Sequence, residues 1–121
     1  MRDPFSAIDH VQLAMPPGEE DRARAFYGRM LGMTEVAKPP ELAKRGGCWF
    51  TCGRVQIHLG VESEFRPARK AHPALRCVDY NALITQLRAD GVTVTEDQSI
   101  PEVRRCHIVD PFGNRIELIH E

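Results

Sequence analysis

The 121-residue sequence predicts an α+β fold in which one βαβββ unit is used twice in tandem. Three observations carry that expectation. The strand-like run IDHVQLAM at 8–15 has a counterpart in AHPALRCV at 71–78, with His10 and His72 in matching places. The segment LGMTEV matches DGVTVT and aligns Gly32 with Gly91. The run Ile57-His58-Leu59 matches Ile116-Glu117-Leu118. An internal repeat is one supersecondary unit used twice, so equivalent positions point the same way in space.

Each element follows from local pattern. Residues 8–15 alternate and stop at Pro16-Pro17-Gly18, a strand and its breaker. Glu19, Glu20 and Asp21 suit the positive end of a helix, in which Ala23, Phe26, Tyr27, Met30 and Leu31 form one buried stripe. Gly32 stands where a helix ends, and a short strand at 33–37 leads to Pro39-Pro40 and one turn at 41–44. Strands at 47–52 and 54–61, separated by Gly53, read as a hairpin. The charged, aperiodic stretch 62–70 is the linker. The second unit repeats the order: a strand at 72–78, a helix capped by Asp79 that carries Tyr80, Leu83, Ile84 and Leu87, then strands at 92–96, 103–109 and 115–120. The turn Asp110-Pro111-Phe112-Gly113-Asn114 joins the last two.

Bulk properties bound the function. The length fits one domain over residues 1–121, with modules at 6–62 and 70–121. A net charge of −1 gives no electrostatic reason to expect nucleic acid or an anionic membrane as partner. No apolar run approaches a membrane span and MRDPFSAIDH has no signal-peptide core, so the expected location is cytoplasmic. Cys48, Cys52, Cys77 and Cys106 show no C-x-x-C spacing and are expected to be reduced, small apolar residues of the strands.

Strand parity sorts the polar residues. His10 shares a face with Gln12, His58 with Gln56, His72 with Arg76, and Glu117 with Arg115. Through the hairpins, Trp49 and Thr51 join the face of His58, while His107 and Arg105 join that of Glu117. Each sheet thus has an apolar side for the helices and a polar side suited to a cupped pocket. Three imidazoles and a carboxylate, from His10, His58, His72 and Glu117, can hold a divalent ion in a partly open shell. A nitrogen-rich site of this kind accepts Zn, Ni, Fe or Mn. Arg76, Arg105 and Arg115 can receive an anionic substrate group.

The segments IDHVQLAM, RARAFYGRMLGM, GGCWFTCGRVQIHLG, HPALRCVD and DPFGNRIELI give the chain a whole-length resemblance to the vicinal-oxygen-chelate superfamily. That superfamily includes glyoxalase I, extradiol dioxygenases, fosfomycin-resistance thiol transferases and bleomycin-resistance proteins. The resemblance implies two βαβββ modules whose mixed sheets form a cup, helices outside, the glyoxalase/bleomycin resistance/dioxygenase fold. It implies a metal ion held by His10, His72 and Glu117, with His58 as a fourth ligand or displaced base and His107 as a proton shuttle. His58 stands where typical glyoxalase I has glutamate, a departure that weighs against that particular activity. The implied function is metal-dependent chemistry on a small molecule chelated through vicinal oxygens, of lyase, isomerase, thiol-transferase or dioxygenase type. The competing reading is a metal-free small-molecule binder of the drug-sequestering kind, with Trp49 as its stacking wall. Exposed strand edges favour a homodimer.

Overall fold

The structure, a computed structural model, describes residues 2–121. It contains two four-stranded sheets of the same design. In the first, β1 (Val11–Met15), β2 (Thr34–Val36), β3 (Cys48–Cys52) and β4 (Val55–Val61) take the order β1-β4-β3-β2. In the second, β5 (Ala74–Cys77), β6 (Thr95–Asp97), β7 (Arg105–Val109) and β8 (Arg115–His120) take the order β5-β8-β7-β6. The outer pairs β1/β4 and β5/β8 are parallel, and the remaining pairs are antiparallel. The repeat read in the sequence is therefore a repeat of strand order, and the mixed α+β class holds.

The helices lie where the apolar stripes place them. Helix α1 (Glu20–Ala23) runs on as a π-helical segment over Arg24–Met30, marked by the Leu31 N–H donating to the Phe26 carbonyl at 2.9 Å. This winding is wider than the 3.6-residue period of the sequence stripe. Ala23, Phe26 and Tyr27 are buried all the same, because they lie at or near its start, before the two periods diverge, whereas Met30 and Leu31 farther along are only partly buried. A single turn, α2 (Pro40–Ala43), precedes the first hairpin. Helix α3 (Tyr80–Ala89) buries Tyr80, Ile84 and Leu87, and the Asp79 carboxylate accepts from the Ala82 N–H at its start.

One continuous core joins both sheets. Phe50, Ile57 and Leu59 face it from the first sheet and Ile108, Ile116 and Leu118 from the second. Alternation along the strands then fixes the opposite face as the polar one. Gly47 lets the chain enter β3: its φ is +86°, and a Cβ there would stand 2.1 Å from the Leu59 carbonyl oxygen. No helix among the described residues is long and apolar enough to cross a membrane.

Several boundaries differ from the sequence reading. Strand β1 begins at Val11, leaving Ile8 exposed, and β5 begins at Ala74, with Val78 exposed beyond its end. His10 and His72 consequently sit just ahead of their strands, still at matching places. The strand expected at 92–96 forms at Thr95–Asp97, because Val92 and Val94 pack against the core from the loop. Cys48, Cys77 and Cys106 are buried and reduced, whereas Cys52 is exposed. Cys52 shares its parity with Phe50 but lies at the tip of the hairpin, next to the Gly53 turn and past the reach of the helix.

Candidate functional site

Register brings the polar residues together within each sheet. In the second, His107 is the cross-strand partner of Glu117 and Thr95 of His107, while Ala74 pairs with Glu117 from the other side. The Glu117 N–H donates to the Pro73 carbonyl at 3.0 Å, which seats His72 over the centre of β8. His72, His107 and Glu117 each offer a ligand atom, and these atoms lie within 4.8 Å of one another.

The two oxygens of Glu117 are divided between different partners. Oε1 is 3.1 Å from His72 Nε2 and 3.8 Å from His107 Nε2. Oε2 accepts from Arg105 Nη1 at 3.0 Å. Arg105 is itself held by Asp97 at 3.0 Å and by Ser99 Oγ at 2.9 Å. Burial pushes the Glu117 carboxyl up, but the hydrogen bonds from Arg105 and His72 outweigh it and hold the group below the usual carboxylate range. The tautomer of His72 is fixed from the far side. Its Nδ1 stands 2.7 Å from the Lys70 carbonyl, which can only accept, so Nδ1 carries the hydrogen. Nε2 then faces Oε1 across a gap that a proton or a cation must bridge.

The first sheet holds a different cluster. His58 is buried between two parallel rings, His10 at 4.1 Å and Trp49 at 4.0 Å between centroids. His58 Nε2 is buried with no hydrogen-bond partner. The His10 Nδ1 is 2.9 Å from the Asp9 carboxylate. Among the described residues, the close-set donor group comprises His72, His107 and Glu117, and His10 and His58 stand outside it. Repeat equivalence gives each side chain a direction relative to its own sheet and says nothing of how the two sheets are set. His107, expected as a neighbour of the site, stands inside the donor group instead.

The other expected pocket residues divide the same way. Gln12 lies over Gly60, where a Cβ would come within 2.6 Å of its amide nitrogen, and it lines a 670 Å³ groove with His72 between β1 and β5. Gln56 pairs with Thr51 in the first hairpin. Arg115 stands 3.4 Å from a His107 ring nitrogen. Arg76 is exposed on β5 and lines a second recess of the same sheet with Glu102, Arg104, Arg105 and Glu117. Asp97 and Ser99, which position Arg105, were outside the sequence reading. The sequence strand ended at Glu96, one residue short of the register that pairs Asp97 with Arg105.

Burial lowers the imidazole pKa of both His58 and His107, helped by the nearby His10 and Arg115 respectively. The unfolded chain therefore binds more protons than the folded one near these groups. Their contribution to stability is complete above the unfolded histidine value of about 6.5 and declines as pH falls through the lowered folded values. Urea midpoints are expected to fall from pH 7.5 to 5.5, and to fall less in a His58→Gln, His107→Gln variant. An identical slope in both proteins would refute the assignment.

The fold has known counterparts. The family model described as the Glyoxalase/Bleomycin resistance protein/Dioxygenase superfamily matches residues 7–118. The chain belongs to this superfamily. No curated protein matches it. Among solved structures, this superfamily member is similar to a glyoxalase family protein from Bacillus anthracis, at 50% identity and a TM-score of 0.96, covering 100% of this chain and 99% of that one. It is also similar to TnmS3, an antibiotic binding protein from Streptomyces sp. CB03234, at 25% identity and a TM-score of 0.72, covering 96% and 98% of the two chains. It shares its fold with lactoylglutathione lyase from Agrobacterium tumefaciens, at 24% identity and a TM-score of 0.71, covering 98% and 96%.

Proposed function

We propose that this superfamily member is a divalent-metal-dependent enzyme acting on a small molecule that presents two vicinal oxygens. The observation that carries the reading is the orientation of His72. Its Nδ1–H is engaged by the Lys70 carbonyl, so Nε2 is the nitrogen turned to Glu117 Oε1, and the proton it donates there is the one an ion would replace. A backbone carbonyl behind a ligating imidazole is the usual means of fixing a metal-binding tautomer. Two imidazoles and a carboxylate suit Zn, Ni, Fe or Mn, with positions left for substrate.

In this reading His72, His107 and Glu117 hold the ion. When bound, the ion supplies a Lewis-acid charge to adjacent substrate oxygens. The chain's residues do the rest. Arg105, clamped by Asp97 and Ser99, restrains Oε2 and leaves Oε1 as the ligand atom. Burial keeps His107 neutral near pH 7, so one of its ring nitrogens has a lone pair to give to the ion or to a substrate proton. The groove between β1 and β5 admits the substrate beside His72.

The test is the metal content of purified protein after incubation with Zn, Ni, Mn or Fe(II) and removal of free ion. Stoichiometric uptake by the wild type, lost in a His72→Ala, Glu117→Ala variant, is expected. Equal, near-zero content in both would end the metal reading. One observation favours a second reading, a metal-free binder. The Trp49–His58–His10 stack offers a flat aromatic wall on the polar face of the first sheet, and TnmS3 shows an antibiotic binding protein on this fold.

A further inference from the structure

A recess of 530 Å³ opens on the second sheet, lined in part by Arg69, Thr93, Thr95, His107 and Arg115. Among the described residues no aspartate or glutamate lines it. Neither arginine forms an ion pair among the described residues. The carboxylates that share this face, Asp97 and Glu117, are both taken up by Arg105 at 3.0 Å. Arg115 is half-buried, and its Nη2 lies 3.5 and 3.4 Å from the two ring nitrogens of His107, committed to neither. Arg69 is carried over the recess by the linker. Pro67 packs so closely on Gly113, at φ +96°, that a Cβ there would meet its Cγ at 3.0 Å.

A guanidinium withdrawn partly from water without a counter-ion is costly, and its planar fork of donors matches an oxyanion. The hydroxyl of Thr95, cross-strand partner of His107, adds a further donor on the same wall. We propose that this recess receives an oxyanion group, of the carboxylate or phosphate class, on the small molecule whose oxygens reach His72 and Glu117. This deepens the proposed function by giving the substrate a charge, and it rests on the polar face being the substrate site. Anion binding itself needs no metal.

The test uses metal-free, nitrogen-15-labelled protein titrated with inorganic phosphate and, separately, with benzoate. Arginine Nε–Hε and histidine ring signals are followed by NMR. Saturable shifts at Arg115, Arg69 and His107 are expected. Arg115→Gln should weaken phosphate by about tenfold, Arg69→Gln by less, and Arg115→Lys should recover part of the loss. Arg76→Gln, which does not line this recess, should change nothing. The backbone spectrum of each variant reports whether it is folded. Shifts that do not saturate, equal affinity in wild type and folded Arg115→Gln, or shifts centred on Arg76 and Arg104 overturn the proposal. Metal uptake measured on the same preparations keeps the two readings apart. A metal-binding protein without phosphate affinity sinks this proposal alone. A phosphate-binding protein that takes up no metal upholds it and removes the metal reading.

Discussion

Replacing Asp110 with alanine is expected to cost about 4 kcal/mol of folding stability, the range seen when a buried, fully hydrogen-bonded charge site is broken. The carboxylate is 4% exposed and receives four hydrogen bonds. The Tyr27 hydroxyl donates at 2.6 Å and Asn114 Nδ2 at 2.9 Å to Oδ2, while the Phe112 and Asn114 N–H groups donate to Oδ1. Alanine leaves all four donors without that acceptor, the phenol among them. Burial, the largest cause of the raised Tyr27 pKa, is not supplied by Asp110, so the phenol does not ionise to relieve the loss. The site also ties the two halves of the fold together. Tyr27 belongs to the first helix, Asn114 donates to the Ala14 carbonyl at 2.7 Å, and Arg22 donates to the Pro111 carbonyl. Equilibrium urea unfolding measures the effect, and Tyr27→Phe should cost about 1 kcal/mol in the same assay. A loss below 1 kcal/mol for Asp110→Ala would mean the turn is held by its backbone alone.

Glu117→Gln is expected to remove two things at once. Metal affinity should fall at least about a hundredfold, since the anionic member of the donor group becomes a neutral amide. Stability at pH 7 should also fall, because half-buried Arg105 loses one of its two carboxylate partners. The pH dependence separates these effects. The folded Glu117 carboxyl is held below its ordinary value, so its contribution is present above the unfolded value of about 4.3 and disappears as pH falls through the folded one. Wild type and variant should therefore converge in stability as the pH is lowered below that range. A gap that persists undiminished there would assign the loss to packing instead of charge.

The sequence carried the fold well because period and parity are local properties. The matched runs around His10 and His72, and around His58 and Glu117, required no knowledge of distant contacts. Hairpin pairing likewise put His107 on the face of Glu117 and Trp49 on that of His58, and the registers set each pair directly opposite. The grouping of the four repeat-related residues was not legible, since it depends on how two sheets without a shared ladder are set against each other. Arg105 could be placed on the right face, yet its clamp could not, because Asp97 and Ser99 lie at and just beyond the end of a three-residue strand. Asp110 read only as one of five turn residues. Its part in joining the halves depends on Tyr27, 83 positions away in the chain.

The parallel pairs β1/β4 and β5/β8 have a kinetic consequence. Each hairpin, β3/β4 and β7/β8, joins neighbours in sequence and can form early at small entropic cost. The first strand of each unit must wait for that hairpin, since Val11 finds Ile57 and Ala74 finds Glu117 only across the whole unit. His10 directly precedes the first of those late strands, and His72 stands two residues ahead of the other. His72, on which the proposed metal site rests, is thus among the last side chains to reach its place during folding, and among the first exposed when a strand edge frays.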